Sequence, residues 1–116
     1  MSLSIIDFIN HIKDELTFLA SDSRNYTYDS FCADKKTALA YTRALEIIGE
    51  ACKNVPDLFR EKYAQIDWKG YAGLRDIITH QYFGIDNEAI WDTVINEVPE
   101  TLAEIERIIV LESHNE

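Results

Sequence analysis

Basic residues are scarce in this chain. Eleven Lys and Arg stand against 21 Asp and Glu in 116 residues, a formal net charge of −10. Phosphate binding normally needs a basic footprint, so the total argues against a generic nucleic-acid binder. The shortage is uneven. Residues 1–50 carry five basic against eight acidic side chains, residues 51–83 five against four, and residues 84–116 one against nine. The acid is concentrated in the last third, and the middle is close to balance. An acidic face reads first as solvated surface; repelling RNA from the wrong side or attracting a basic protein is the alternative. Cysteine is also rare. Cys32 and Cys52 form no CxxC and no zinc spacing, which excludes a disulfide framework and leaves two free packing thiols in a cytoplasmic protein. No run approaches the ~20 apolar residues of a membrane span. The first residues, Met1-Ser2-Leu3-Ser4, lack the basic stretch of a signal peptide, so none is expected.

What the chain has is apolar residues at helical spacing. They make up 47% of it, enough for the core of one domain over residues 1–116. A domain this small is surface-rich, and a homodimer would help to cover apolar faces. Ile5, Phe8, Ile9, Ile12, Leu16 and Leu19 recur at steps of three and four, one stripe of an amphipathic helix. Ser4 and Asp7 fit a capping box at its start. Residues 21–29 are polar and read as a loop. A long second helix is expected over about 30–54, with Ala38, Tyr41, Leu45, Ile48 and Cys52 as its stripe. Pro56 suits the first turn of a short helix to about residue 63, with Asn54 a candidate cap. Residues 65–70 read as a connection and 71–83 as a fourth helix, which Gly84 is placed to end. Asp86 or Asn87 can cap the last helix. Ile90, Trp91, Val94, Ile95 and Val98 are expected to line its inside. Pro99 is expected to break or kink it, before Leu102, Ile105 and Ile109 resume the stripe. No run alternates as a strand does. The expected fold is an all-α, up-and-down bundle of four to five helices.

One stretch reads as chemistry: Gly73-Leu74-Arg75-Asp76-Ile77-Ile78-Thr79-His80-Gln81-Tyr82-Phe83. A guanidinium clamps phosphate with paired hydrogen bonds. An imidazole near its free pKa of ~6.5 takes and gives protons. The two suit metal-free cleavage of a phosphodiester. Their spacing is awkward, because five residues on a straight helix put Arg75 and His80 about 140° apart. Arg75 and Tyr82, seven apart, share a face. Convergence of Arg75 and His80 requires a cleft, a bent helix end or a second copy across a two-fold axis. The ordinary readings are a structural salt bridge for Arg75, to neighbours of Asp76 or to the acidic last helix, and a ring at the helix edge for Tyr82. On spacing alone these are preferred.

The segment from Ile66-Asp67-Trp68 through Tyr82-Phe83-Gly84-Ile85-Asp86 resembles the signature of the HepT-like branch of HEPN-domain proteins. Arg75, His80 and Tyr82 match that family's Arg-x4-His-x-Tyr motif. Leu45-Glu46-Ile47-Ile48-Gly49-Glu50-Ala51 resembles its second-helix signature, and Trp91-Asp92-Thr93-Val94 with Val98-Pro99 its last helix. Asp76 and Gln81 stand where Asn and an acidic residue are familiar. The resemblance covers nearly the whole chain. It implies a toxin of a prokaryotic toxin–antitoxin pair: a homodimeric, metal-independent ribonuclease whose motifs meet in a cleft at the interface. It also implies an RNA substrate, tRNA included, and a small MNT-type nucleotidyltransferase as antitoxin. That partner would transfer AMP to the motif tyrosine, here Tyr82. Arg75 and His80 are then catalytic and Tyr82 regulatory, with no metal and no cofactor.

Two other readings remain. One is a HEPN protein that has lost activity and only binds its nucleotidyltransferase; the other is a structural helical dimer. Further candidates are weaker. Glu46 and Glu50, a turn apart, lack the Glu-x-x-His partners of a bundle metal site and read as solvated or structural. Asp76 and His80 are only two ligands. His11 and His114 have no catalytic context. Tyr26 and Tyr28 can stack on bases, but loop aromatics more often cover a core edge. Gly70 and Gly73 do not form a phosphate loop.

Overall fold

A computed structural model describes residues 4–79, 84 and 86–114. Among them the chain is all α, with no strand. Helix α1 spans Ile5–Asp22, α2 Tyr28–Cys32, α3 Lys35–Asn54, α4 Asp57–Lys62, α5 Trp68–Thr79, α6 Asn87–Asp92 and α7 Val98–Ser113. A π-helical segment, Thr93–Glu97, joins α6 to α7. Helix α3 is central, packed between α1 and α5, and α7 lies along α1.

Helix α1 starts as its sequence dictates. Ser4 Oγ accepts from the Asp7 amide at 3.3 Å, and the Asp7 carboxylate accepts from the Ser4 amide at 3.0 Å. Ile9, Ile12, Leu16 and Leu19 are buried, whereas Ile5 lies outside the core. The polar stretch 21–29 is not a plain loop. Helix α1 runs on to Asp22, a 3₁₀ turn follows at Ser23–Asn25, and α2 begins at Tyr28. A second capping box, Thr27 with Ser30, starts α2. It uses a hydroxyl in place of Glu or Gln, so its signature is faint. The long helix therefore begins at Lys35 and not near residue 30, because Asp34 caps it by accepting from the Thr37 amide at 3.1 Å.

The expected α3 stripe of Ala38, Tyr41, Leu45, Ile48 and Cys52 is buried throughout. Tyr41 anchors an aromatic cluster. Phe18 and Tyr26 meet its ring edge-on at 5.8 and 6.5 Å, and Phe31 stacks on it at 5.3 Å. Phe31 in turn meets Trp91 at 5.1 Å. The Tyr41 hydroxyl donates to Asp22 at 2.7 Å, which ties α3 to the end of α1. Asn54 is not the cap of α4. Its amide turns back to the Glu50 carbonyl at 2.9 Å, and Pro56 itself holds the cap position.

The final helical stretch corrects two expectations. Pro99 does not break it. The turn before it is already widened, with the Val98 amide donating to the Thr93 carbonyl five residues back, and Pro99 falls in the first turn of α7. Ile90, Val94 and Val98 face inward, but Ile95 is exposed. Ile108 joins Ile105 in the core, and Leu102 and Ile109 flank it. No helix among the described residues is long and apolar enough to cross a membrane.

Candidate active site

Helix α5 is fixed before it reaches Arg75. The Asp67 carboxylate accepts from the Gly70 amide at 3.0 Å, capping the first turn. Trp68 is buried, and its indole donates to the Tyr63 carbonyl at 3.0 Å. Tyr71 is buried as well, with its hydroxyl 2.8 Å from Thr101 Oγ1 of α7. Burial pushes the Tyr71 phenol up to about 12. Arg75 follows four residues later on the same face.

That face meets α3 at Gly49. A Cβ at Gly49 would overlap Arg75 Cβ and would lie 2.6 Å from the Tyr71 carbonyl oxygen. Only glycine lets the two backbones approach this closely. Glycine inside a helix costs about 1 kcal/mol against alanine. An interior Gly49 was therefore a sequence signal of close approach, although nothing in the sequence named its partner.

The next α3 residue, Glu50, then reaches Arg75. Its Oε2 lies 3.2 Å from Arg75 Nε. Arg75 Nη1 lies 3.2 Å from Asp76 Oδ1, and the same oxygen accepts from Lys53 Nζ at 3.3 Å. The bond from Lys53, then that from Arg75, holds the Asp76 carboxyl below its ordinary range. Two cations and two carboxylates thus alternate across α3 and α5. The Arg75 side chain is 29% exposed, partly sheltered but open to a ligand. It borders a groove of ≈ 270 Å³ whose lining includes Phe8 and His11 of α1 with Glu46, Ile47 and Glu50 of α3.

Of the three motif residues, the described structure contains Arg75; His80 and Tyr82 lie outside the described residues. The partner expected for Arg75 is partly corrected. Among the described residues, Asp76 itself and Glu50 engage it. Glu46 sits near Arg43 at 3.9 Å, and no cluster of potential metal ligands occurs among the described residues. His11 borders the groove. His114 is exposed at the end of α7. Tyr26 covers the core edge and accepts from Thr37 at 3.0 Å, while Tyr28 is exposed. Cys52 is buried, and that burial pushes its thiol up to about 12, so it is no nucleophile; Cys32 is exposed and free.

The family model described as ribonuclease HepT-like matches residues 5–108. The chain belongs to the HepT-like family of HEPN ribonucleases. Three relatives match over 84% or more of their own length. A candidate RNase of Methanocaldococcus jannaschii is 50% identical over 105 residues, covering 90% of this chain and 84% of that protein. A candidate RNase of Caldanaerobacter subterraneus subsp. tengcongensis is 39% identical, covering 88% and 91%. A candidate ribonuclease HepT of Thermococcus cleftensis is 36% identical, covering 93% and 98%. No solved structure matches the chain.

Proposed function

We propose that this HepT-like protein is the toxin of a prokaryotic toxin–antitoxin pair and cleaves RNA without a metal. The observation that carries the reading is the seat of Arg75. It is a partly sheltered guanidinium, held between two helices beside an open groove, in the segment of the chain closest to charge balance.

The chemistry follows from the groups. The ribose 2′-hydroxyl attacks the adjacent phosphorus while His80 takes its proton. The P–O5′ bond breaks, and the leaving 5′-oxygen receives a proton from the second acid–base group. The products are a 2′,3′-cyclic phosphate and a 5′-hydroxyl. Arg75 stabilises the charge that builds on the phosphoryl oxygens. A homodimer supplies two copies of each group, so that one His80 serves as base and the other as acid. Gly70, Gly73, Leu74 and Ile77 support such an arrangement. They lie at helical spacing along a groove beside Thr93 and Glu97; Ile77 is 59% exposed, and a side chain at Gly73 would meet open space.

An MNT-type nucleotidyltransferase is the proposed antitoxin, transferring AMP to Tyr82. A bulky anion near Arg75 would block substrate phosphate by size and charge. The rival is a non-catalytic module that only binds that enzyme. It draws support from the two carboxylates that already engage Arg75.

One experiment separates them. Purified protein is incubated with RNA, tRNA included, in EDTA. Cleavage should persist under chelation and leave cyclic phosphate ends. Arg75→Ala and His80→Ala should each lose ~10²–10⁴-fold in rate with helical content unchanged. A folded His80→Ala variant cutting at the native rate, or a strict magnesium requirement, would overturn the mechanism. Co-expression with the nucleotidyltransferase should add one AMP to the tryptic peptide holding Tyr82, and none in Tyr82→Phe.

A further inference from the structure

Arg75 carries two carboxylates that differ in kind. Glu50 comes from another helix and meets Nε, the nitrogen about which the guanidinium plane turns. Its position is set by the glycine contact one residue earlier, where the α3 and α5 backbones approach closely. Asp76 comes from the next residue of α5, meets Nη1 on the outer fork, and shares its oxygen with Lys53. Neighbours in a helix point in different directions, so Asp76 reaches Arg75 only sideways. If an incoming phosphate takes Nη1, Asp76 keeps Lys53 as its counter-ion. If Glu50 lets go, Arg75 loses its contact from α3 at Nε.

From this asymmetry we infer that Glu50 is a positioning residue for Arg75 and that Asp76 is an exchangeable stand-in for substrate phosphate. The inference rests on the proposed role of Arg75 as the phosphate-binding group. Glu50 stays bound through the cycle and fixes where the guanidinium fork points. Asp76 meets the fork in the resting protein and keeps its contact with Lys53 when phosphate enters. The two carboxylates therefore act oppositely on the same side chain. Loss of Glu50 should blur the transition-state contact and lower kcat. Loss of the Asp76 charge should remove a competitor and lower KM.

The test pairs kinetics with a reading that needs no turnover. In nitrogen-15 spectra the Arg75 Nε–Hε resonance is identified by its loss in Arg75→Lys. It should be slow to exchange in the native protein and in Asp76→Asn, and should collapse to the solvent-exposed position in Glu50→Ala. Glu50→Gln, which retains an acceptor oxygen, should recover much of it. In cleavage, Glu50→Ala should lose about 10- to 100-fold in kcat, the scale of a misplaced catalytic contact, with KM little changed. Asp76→Asn should lower KM by up to about fivefold, the scale of an exposed ion pair. An unmoved Nε–Hε resonance in Glu50→Ala overturns the inference. So does a Glu50→Gln variant as impaired as Glu50→Ala, since a bulk charge effect would then suffice, or Asp76→Asn shifting kcat and KM as Glu50→Ala does. If the resonances behave as stated but no RNA is cut, the positioning stands and the ribonuclease reading fails. If Arg75→Ala abolishes cleavage and Glu50→Ala changes nothing, the reverse holds.

Discussion

The two halves of α3 are held in opposite ways. In the first half Tyr41 is enclosed by Phe18, Tyr26 and Phe31, and its hydroxyl is tied to Asp22. In the second half Ile48 and Cys52 are buried too, but the face toward Arg75 is made of a missing side chain at Gly49 and paired charges from Glu50 and Lys53. Ring contacts of the first kind bury large areas and have no partner to exchange with. Partly exposed ion pairs contribute little each and swap partners easily. One end of the helix is thus an anchor, and the other holds the Arg75 cation of α5 where a ligand can engage it.

Three experiments break or sharpen that contrast. The largest effect is expected from Tyr41→Ala, which empties the centre of the aromatic cluster. It should cost about 3–5 kcal/mol, read as a shift of the denaturant midpoint. Cleavage per folded molecule should stay native, because Arg75 depends on the other half. Gly49→Ala comes next, at about 1–3 kcal/mol, since the added carbon meets Arg75 Cβ and the Tyr71 carbonyl. Here cleavage per folded molecule should fall with stability. A Gly49→Ala protein with native stability would show that the close approach is dispensable.

The third test is a pH dependence to which both halves contribute, since burial also raises the Tyr41 phenol. Cys52 of α3 and Tyr71 of α5 are raised by burial from 9.0 and 10.0, each to about 12. Between those limits the folded protein holds protons that the unfolded chain releases, so stability falls as pH rises. Thermal melts should be flat below pH 9 on this account, then decline toward pH 12. Cys52→Ala should delay the onset of the decline. An unchanged alkaline profile in that variant would remove Cys52 from the explanation.

Much of the scaffold was legible in the sequence because it is local. The Ser4–Asp7 box, the Asp86 cap that accepts from the Ala89 amide at 3.1 Å, and the buried stripe of α3 all follow from spacing. Helix α2 was not legible, since its box substitutes Ser30 for the usual longer side chain. The site divides along the same line. Arg75 stood out through its motif, but its partner Glu50 lies on another helix, and a turn-spaced Glu46 and Glu50 read as solvated or structural with nothing to point them at Arg75. Pairing across helices depends on how α3 and α5 cross, and that is set by a glycine whose contact no periodicity encodes.

The widened turn at Thr93–Glu97 sets how the end of the chain responds to a change in length. It takes in one residue more than an ordinary turn, so the apolar stripe beyond it is out of phase with a regular helical count from α6. Removing a single residue there would let the Val98 amide reach a carbonyl four residues back, closing the wide turn to an ordinary one. Ile105 and Ile108 would then keep their buried faces. The same deletion inside α3 would instead turn everything beyond it by about 100°. Length variation among related chains should therefore be tolerated better at this turn than within α3.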